Sequence, residues 1–152
     1  MFFAFERLNG RSGHEVGRGL LARLYREATG NDHPEILCTP LGKPYFFASQ
    51  WHFSISHTKN HAFCVLADQP VGMDAEEIGR EINPALAKRY LSESEQARLQ
   101  SADALLRLWV LKEACAKLRG KGIGNWLKTT DFDPNDPKIQ IIDGCYVAIL
   151  EE

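Results

Sequence analysis

The sequence predicts an α+β fold, and three observations carry that prediction. Residues 51–56 and 62–67 are strand-like runs separated only by His57-Thr58-Lys59-Asn60, a spacing that suits an antiparallel return. Residues 139–142 and 145–150 flank Asp143-Gly144, a dipeptide favoured in tight hairpins. Between these pairs, residues 83–120 are helical in character.

Residues 2–5 read as a short first strand. Gly10, Gly13 and Gly17 make a loose lead-in to a helix over 18–28, whose apolar stripe is Leu20, Leu21 and Leu24 and whose end is Gly30-Asn31. Arg11, His14, Arg18 and Arg23 bias this end positive, as the wet face of such a helix would. Residues 31–48 read as loop, because Pro34, Pro40 and Pro44 interrupt any regular element. Within them Leu41-Gly42-Lys43-Pro44 forms a turn that presents a lysine; it lacks the glycines and terminal Lys-Ser/Thr of a Walker motif. In the strand over 51–56, Phe53 and Ile55 face one way and Ser54 and Ser56 the other.

The segment 71–77 is the most informative. As a strand it puts Val71, Met73 and Ala75 on one face and Gly72, Asp74 and Glu76 on the other. Asp74 and Glu76 then project side by side, with Cα atoms roughly 6.6 Å apart. Carboxylates that close repel unless a proton or cation sits between them. Such oxygen ligands suit Mg²⁺, which also keeps waters and substrate phosphates in its shell; the plainer reading is an edge strand with a polar face.

Further on, Ser92-Glu93-Ser94-Glu95 fits a capping box. Ser101-Ala102-Asp103 interrupts the helical region, and 105–118 resumes it with Leu106, Val110, Ala114 and Leu118 in one stripe. Trp109, Glu113 and Lys117 fall on an adjacent stripe, where Glu113 and Lys117 could be a routine helix pair. Gly120-Lys121-Gly122 stops the helix.

Composition narrows the class. A chain of 152 residues, 44% hydrophobic and 25% charged, suits one globular domain. A net charge of -2 argues against a general nucleic-acid coat. No apolar run approaches the length of a membrane helix, and the first residues are too soon charged for a signal peptide. Cys38, Cys64, Cys115 and Cys145 lack zinc spacing and read as reduced, mostly buried thiols of a cytoplasmic protein. Ser56 beside His57 suggests no hydrolase, since neighbours on a strand point to opposite faces and no Gly-x-Ser-x-Gly elbow is present.

Taken in order, Gly42-Lys43-Pro44, Phe53-Ser54-Ile55-Ser56-His57-Thr58, Val71-Gly72-Met73-Asp74-Ala75-Glu76 and the run from Trp109 through Lys112-Glu113-Ala114 to Lys117, with Gly120-Lys121-Gly122, resemble the 4'-phosphopantetheinyl transferase superfamily. The likeness is to the longer, surfactin-synthetase-activating type in a shortened form, and it runs from about His14 to the C-terminus. Each motif alone is weak; four in the right order are specific. The resemblance implies two small antiparallel sheets with packed helices in a pseudo-twofold arrangement. It implies a single domain over 1–152, with approximate halves 1–70 and 71–152, acting as a monomeric pseudodimer. It implies transfer of phosphopantetheine from coenzyme A, as co-substrate, to a serine of an acyl or peptidyl carrier protein with Mg²⁺, and no nucleic-acid or membrane partner.

By that likeness Asp74, Glu76 and Glu113 ligate the metal, Glu113 also serves or orients the base, and Lys117 binds a diphosphate oxygen. His57 matches a histidine that contacts the nucleotide phosphate, with Ser56 beside it at the coenzyme. Lys43 matches a lysine near the adenosine end, and His14 stands where an arginine usually binds the 3'-phosphate. Lys121, together with Lys112, adds positive field. Two other readings of the same residues are a non-catalytic module that binds coenzyme A or a carrier protein, and a Mg²⁺-dependent nuclease, for which carboxylates near a lysine would also serve.

Overall fold

The computed structural model describes all 152 residues. In chain order the elements are β1 (Phe2–Arg7), α1 (Gly13–Thr29), β2 (Ile36–Cys38), β3 (Pro44–Phe46), β4 (His52–His57), β5 (His61–Ala67), β6 (Val71–Glu77), α2 (Ala85–Tyr90), α3 (Glu93–Ala97), α4 (Ala102–Arg119), β7 (Ile139–Ile142) and β8 (Cys145–Glu151). One antiparallel sheet has the order β1-β5-β4 and another β6-β8-β7, so in each the last strand in sequence is central and the first is at an edge.

Apolar side chains sort these elements into layers. Leu20, Leu21 and Leu24 of α1 pack on Ala4, Phe53, Ala62, Cys64 and Leu66 of the first sheet. Val110, Leu111, Ala114 and Leu118 of α4 pack on Tyr146, Ala148 and Leu150 of the second. Phe63 and Val65 of β5 meet Val71, Met73 and Ala75 of β6 in a third cluster where the sheets face each other. With a covering layer on each side, every residue of β5 is buried. That accounts for the unbroken apolar run from Ala62 to Ala67. Burial of each such Leu, Val or Phe stabilises by about 1.5–3 kcal/mol.

Three elements depart from the sequence prediction. First, α1 begins at Gly13, where Ser12 caps it by accepting a hydrogen bond from the Glu15 amide at 3.4 Å. Gly13 and Gly17 are therefore helical. A Cβ on Gly17 would lie 2.6 Å from Ile55 Cγ2, and one on Gly13 2.6 Å from His57 Cγ, so both glycines let α1 lie against β4. Second, the proline-rich stretch contains a small hairpin, β2 with β3, pairing Ile36 with Phe46 and Cys38 with Pro44. Third, the helical region is two short helices and a long one that already starts at Ala102, capped by Ser101.

The predicted capping box is present: the Ser92 hydroxyl accepts from the Glu95 amide, and the Glu95 carboxylate accepts from the Ser92 amide. Glu95 also forms an ion pair with Lys112 at 2.5 Å, both side chains being fully buried. Lys112 further donates to the Leu127 carbonyl, the Thr130 carbonyl and the Thr130 hydroxyl. Lys112, expected to add positive field, is buried and paired with Glu95, and it braces the interior. Burial lowers its pKa, opposed by Glu95.

Replacing Lys112 by Met strands the Glu95 carboxylate. Urea unfolding is expected to show a loss of about 3–5 kcal/mol, much of it recovered when Glu95→Gln is added. A single substitution that costs nothing would contradict this reading.

Candidate active site

Two serines join the free edge of β6 to β4. Ser54 Oγ accepts from the Met73 amide at 3.0 Å and Ser56 Oγ from the Ala75 amide at 3.2 Å. Ser56 Oγ also donates to Asp74 Oδ1 at 3.0 Å. These hydroxyls satisfy edge amides that no strand pairs. Ser56, expected at the coenzyme, is buried and holds Asp74 through its hydroxyl.

The opposite constraint comes from α4. A Cβ on Gly72 would lie 2.3 Å from both the Ala114 carbonyl oxygen and the Leu118 amide nitrogen. Only glycine lets the helix backbone come this near the strand. The predicted face of β6, Gly72 with Asp74 and Glu76, therefore meets α4, and the helical stripe delivers Glu113 and Lys117 to it, one turn apart. Lys117 Nζ pairs with Asp74 Oδ1 at 2.9 Å.

Asp74 and Glu76 are 5% and 8% exposed. Asp74 Oδ2 is buried with no hydrogen-bond partner, a costly arrangement for a carboxylate oxygen. Arg80 Nη1 pairs with Glu76 Oε1. Burial raises the pKa of Glu76, against the hydrogen bond from Arg80. Glu113 is pushed up to about 7, first by burial and then by the charge of Asp74, with Lys117 opposing. These carboxylates are not closed into a ready-made cage: no group of three or more His, Cys, Asp or Glu side chains is gathered to hold a metal ion. Lys117 and Arg80 each engage one carboxylate oxygen in the conformation seen.

Beside them opens a cleft of about 370 Å³. Its lining includes His14 and Arg18 from α1, Lys43, His57 at the end of β4, and Glu113 and Lys117 from α4, with Leu41 and Ile123 exposed at its border. Such a concentration of cationic and imidazole groups suits a phosphorylated ligand. Lys43 also donates to the Leu118 carbonyl at 2.6 Å, capping the last turn of α4. Burial lowers its pKa. Lys121 is not in the lining; its ammonium lies 5.3 Å from the centre of the Trp126 ring. Glu76 instead borders a second cleft with Lys59 and Arg80, and His57 is common to both.

Sequence reasoning passed over Arg18 and Arg80 as site residues. Arg18 follows His14 by one helical turn, a signal hidden by starting the helix at 18. Arg80 follows Glu76 by four residues across a turn, which no strand period reveals.

Residues 70–144, the stretch that carries Asp74, Glu76, Glu113 and Lys117, match the family model of the 4'-phosphopantetheinyl transferase superfamily. The chain is 33% identical over 122 residues to the 4'-phosphopantetheinyl transferase psf-1 of Bacillus pumilus, covering 76% of this chain and 48% of that protein. It is 35% identical over 123 residues to a 4'-phosphopantetheinyl transferase of Bacillus subtilis, covering 72% and 54%. With the 4'-phosphopantetheinyl transferase gsp of Aneurinibacillus migulanus it shares 36% identity over 88 residues, covering 54% and 36%. The chain is thus similar to the 4'-phosphopantetheinyl transferase superfamily, both in the stretch that carries the site and across most of its length. It spans about half the length of the first two relatives.

The raised pKa of Glu113 has a consequence for stability. A carboxyl group that titrates higher folded than unfolded stabilises fully below its unfolded pKa, and that contribution is lost as pH rises through its folded value of about 7. Without divalent cations, Glu113→Gln is therefore expected to melt above wild type at pH 8, with the gap shrinking toward pH 5. Melting curves in EDTA check this, and a gap independent of pH would contradict it.

Proposed function

We propose that the protein transfers the 4'-phosphopantetheine group of coenzyme A to a serine hydroxyl of an acyl or peptidyl carrier protein, with Mg²⁺ held at the carboxylates. The observation that carries this reading is the buried, unpartnered Oδ2 of Asp74, close to Lys117 and Glu113 at a cleft lined by cationic groups. The donor set fits a hard divalent cation: Asp74, Glu76 and Glu113 offer only oxygen, and one buried oxygen of Asp74 has no protein hydrogen-bond partner. When bound, Mg²⁺ supplies neutralisation of charge on the diphosphate.

The remaining work belongs to side chains of this chain. His14, Arg18 and His57 hold phosphate groups of coenzyme A in the cleft, with Lys43 at its adenosine end and Lys121 lending charge from outside the lining. Lys117 exchanges Asp74 for a diphosphate oxygen, while Ser56 keeps Asp74 in place. The carrier serine oxygen forms a bond to the phosphorus bearing the pantetheine arm, and the bond from that phosphorus to the departing adenosine 3',5'-bisphosphate breaks. The serine proton passes to Glu113. Glu113 lines the cleft one helical turn before Lys117, where a carboxylate can accept that proton.

The matching strand orders of the two sheets support approximate halves 1–70 and 71–152 in pseudo-twofold relation within one domain over 1–152. Coenzyme A then lies between α1 of one half and α4 of the other, so a monomer suffices. No helix is long and apolar enough to cross a membrane, and all four cysteines are free. Both observations are consistent with work in the cytoplasm.

Intact-mass analysis of an apo carrier protein incubated with this protein, coenzyme A and Mg²⁺ tests the reading. The carrier is expected to gain one phosphopantetheine group; EDTA abolishes the gain, and Glu113→Gln slows it by about a hundredfold or more. Coenzyme A that binds but is never transferred, across several carriers, would overturn the enzyme and favour a binding module.

A further inference from the structure

We infer that Arg80 is a displaceable counter-ion: it engages Glu76 while no divalent cation is bound and gives up that carboxylate when one arrives. This rests on the metal reading of the carboxylates and adds to it a residue outside the ligand set.

Glu76 and Asp74 project from one face of β6 and are both buried. Two such groups cannot both be ionised unless positive charge is supplied. Asp74 receives it from Lys117, which lines the first cleft. Glu76 receives it from Arg80, which lies beyond the end of the strand. The chain is turned to make that possible. Gly79 sits at φ +93, a conformation that favours glycine, and the Arg80 amide donates to the Glu77 carbonyl at 3.0 Å, folding residue 80 back toward residue 76.

The two partners differ in their access to water. The Arg80 side chain is 53% exposed and that of Glu76 only 10%. Arg80 can return to water at little cost, whereas Glu76 has no comparable escape. A guanidinium cannot shed its charge, so it can yield only by moving. The fully buried Lys112–Glu95 pair makes the contrast, for neither member can leave it. Arg80 also lines the second cleft, alongside Lys59 and His57. It thus has a solvated place to go when a divalent cation claims Glu76.

Mn²⁺ serves as the probe, since it favours the same oxygen ligands and its free ion is read by electron paramagnetic resonance. The full chain, stripped with EDTA and dialysed free of it, is titrated at pH 8. Arg80→Gln is expected to bind Mn²⁺ about two- to fivefold more tightly than wild type, the scale of a half-exposed ion pair. Arg80→Lys restores a competing cation and stays near wild type. In a Glu76→Gln background, Arg80→Gln brings no gain, because the effect runs through Glu76. Equal or weaker Mn²⁺ binding by Arg80→Gln would overturn the inference and leave the metal reading standing. A wild-type chain that binds no Mn²⁺ would overturn both.

Discussion

The backbone of α4 passes so near β6 that a Cβ on Gly72 would lie 2.3 Å from the Ala114 carbonyl oxygen and the Leu118 amide nitrogen. Neither atom belongs to a flexible side chain, so the helix could not accommodate a methyl group without moving as a body. The placement of Glu113 and Lys117 depends on this contact. Asp74 and Glu76 come from a strand, Glu113 and Lys117 from a helix. They share a site only because the two backbones touch two residues away from Asp74. Gly13 and Gly17 perform the same service for α1, which brings His14 and Arg18 to the opposite side of the cleft.

Close approach creates an electrostatic problem that the surrounding residues handle unevenly. Asp74 has Lys117 and Ser56 on one oxygen and nothing on the other. Glu76 leans on Arg80, and Glu113 is pushed up to about 7, first by burial and then by the charge of Asp74. The Glu95–Lys112 pair shows what full satisfaction looks like in the same molecule: a buried ion pair with hydrogen bonds from Ser92 and Phe132 and to Leu127 and Thr130. One cluster is finished and structural. The other is left incomplete in a way that a bound cation and phosphates would complete.

Much of this was legible in the sequence. The two-residue period placed Gly72, Asp74 and Glu76 on one face, and four-residue spacing put Glu113 and Lys117 on one stripe, because local geometry alone decides both. The capping box and the Asp143-Gly144 hairpin were legible for the same reason: each is a pattern a few residues long. Long-range packing was not. Gly13 and Gly17 looked like helix breakers because the partner that requires them, β4, lies some forty residues away in sequence. Lys112 was read as adding positive field, and nothing near it in sequence announces its partner Glu95. Ser54 and Ser56 were placed on the correct face, yet their use as stand-ins for a missing strand could be known only once β6 lay beside β4.

The most direct test of the account is Gly72→Ala, assayed for phosphopantetheine transfer alongside its thermal melt. The account predicts that the added methyl destabilises the protein by about 1–3 kcal/mol. It also predicts that, where the variant remains folded, turnover falls by about a hundredfold, since a shift of order 1 Å between helix and strand separates Glu113 from Asp74. A variant that kept both the wild-type melting temperature and the wild-type rate would show that the site does not depend on that contact.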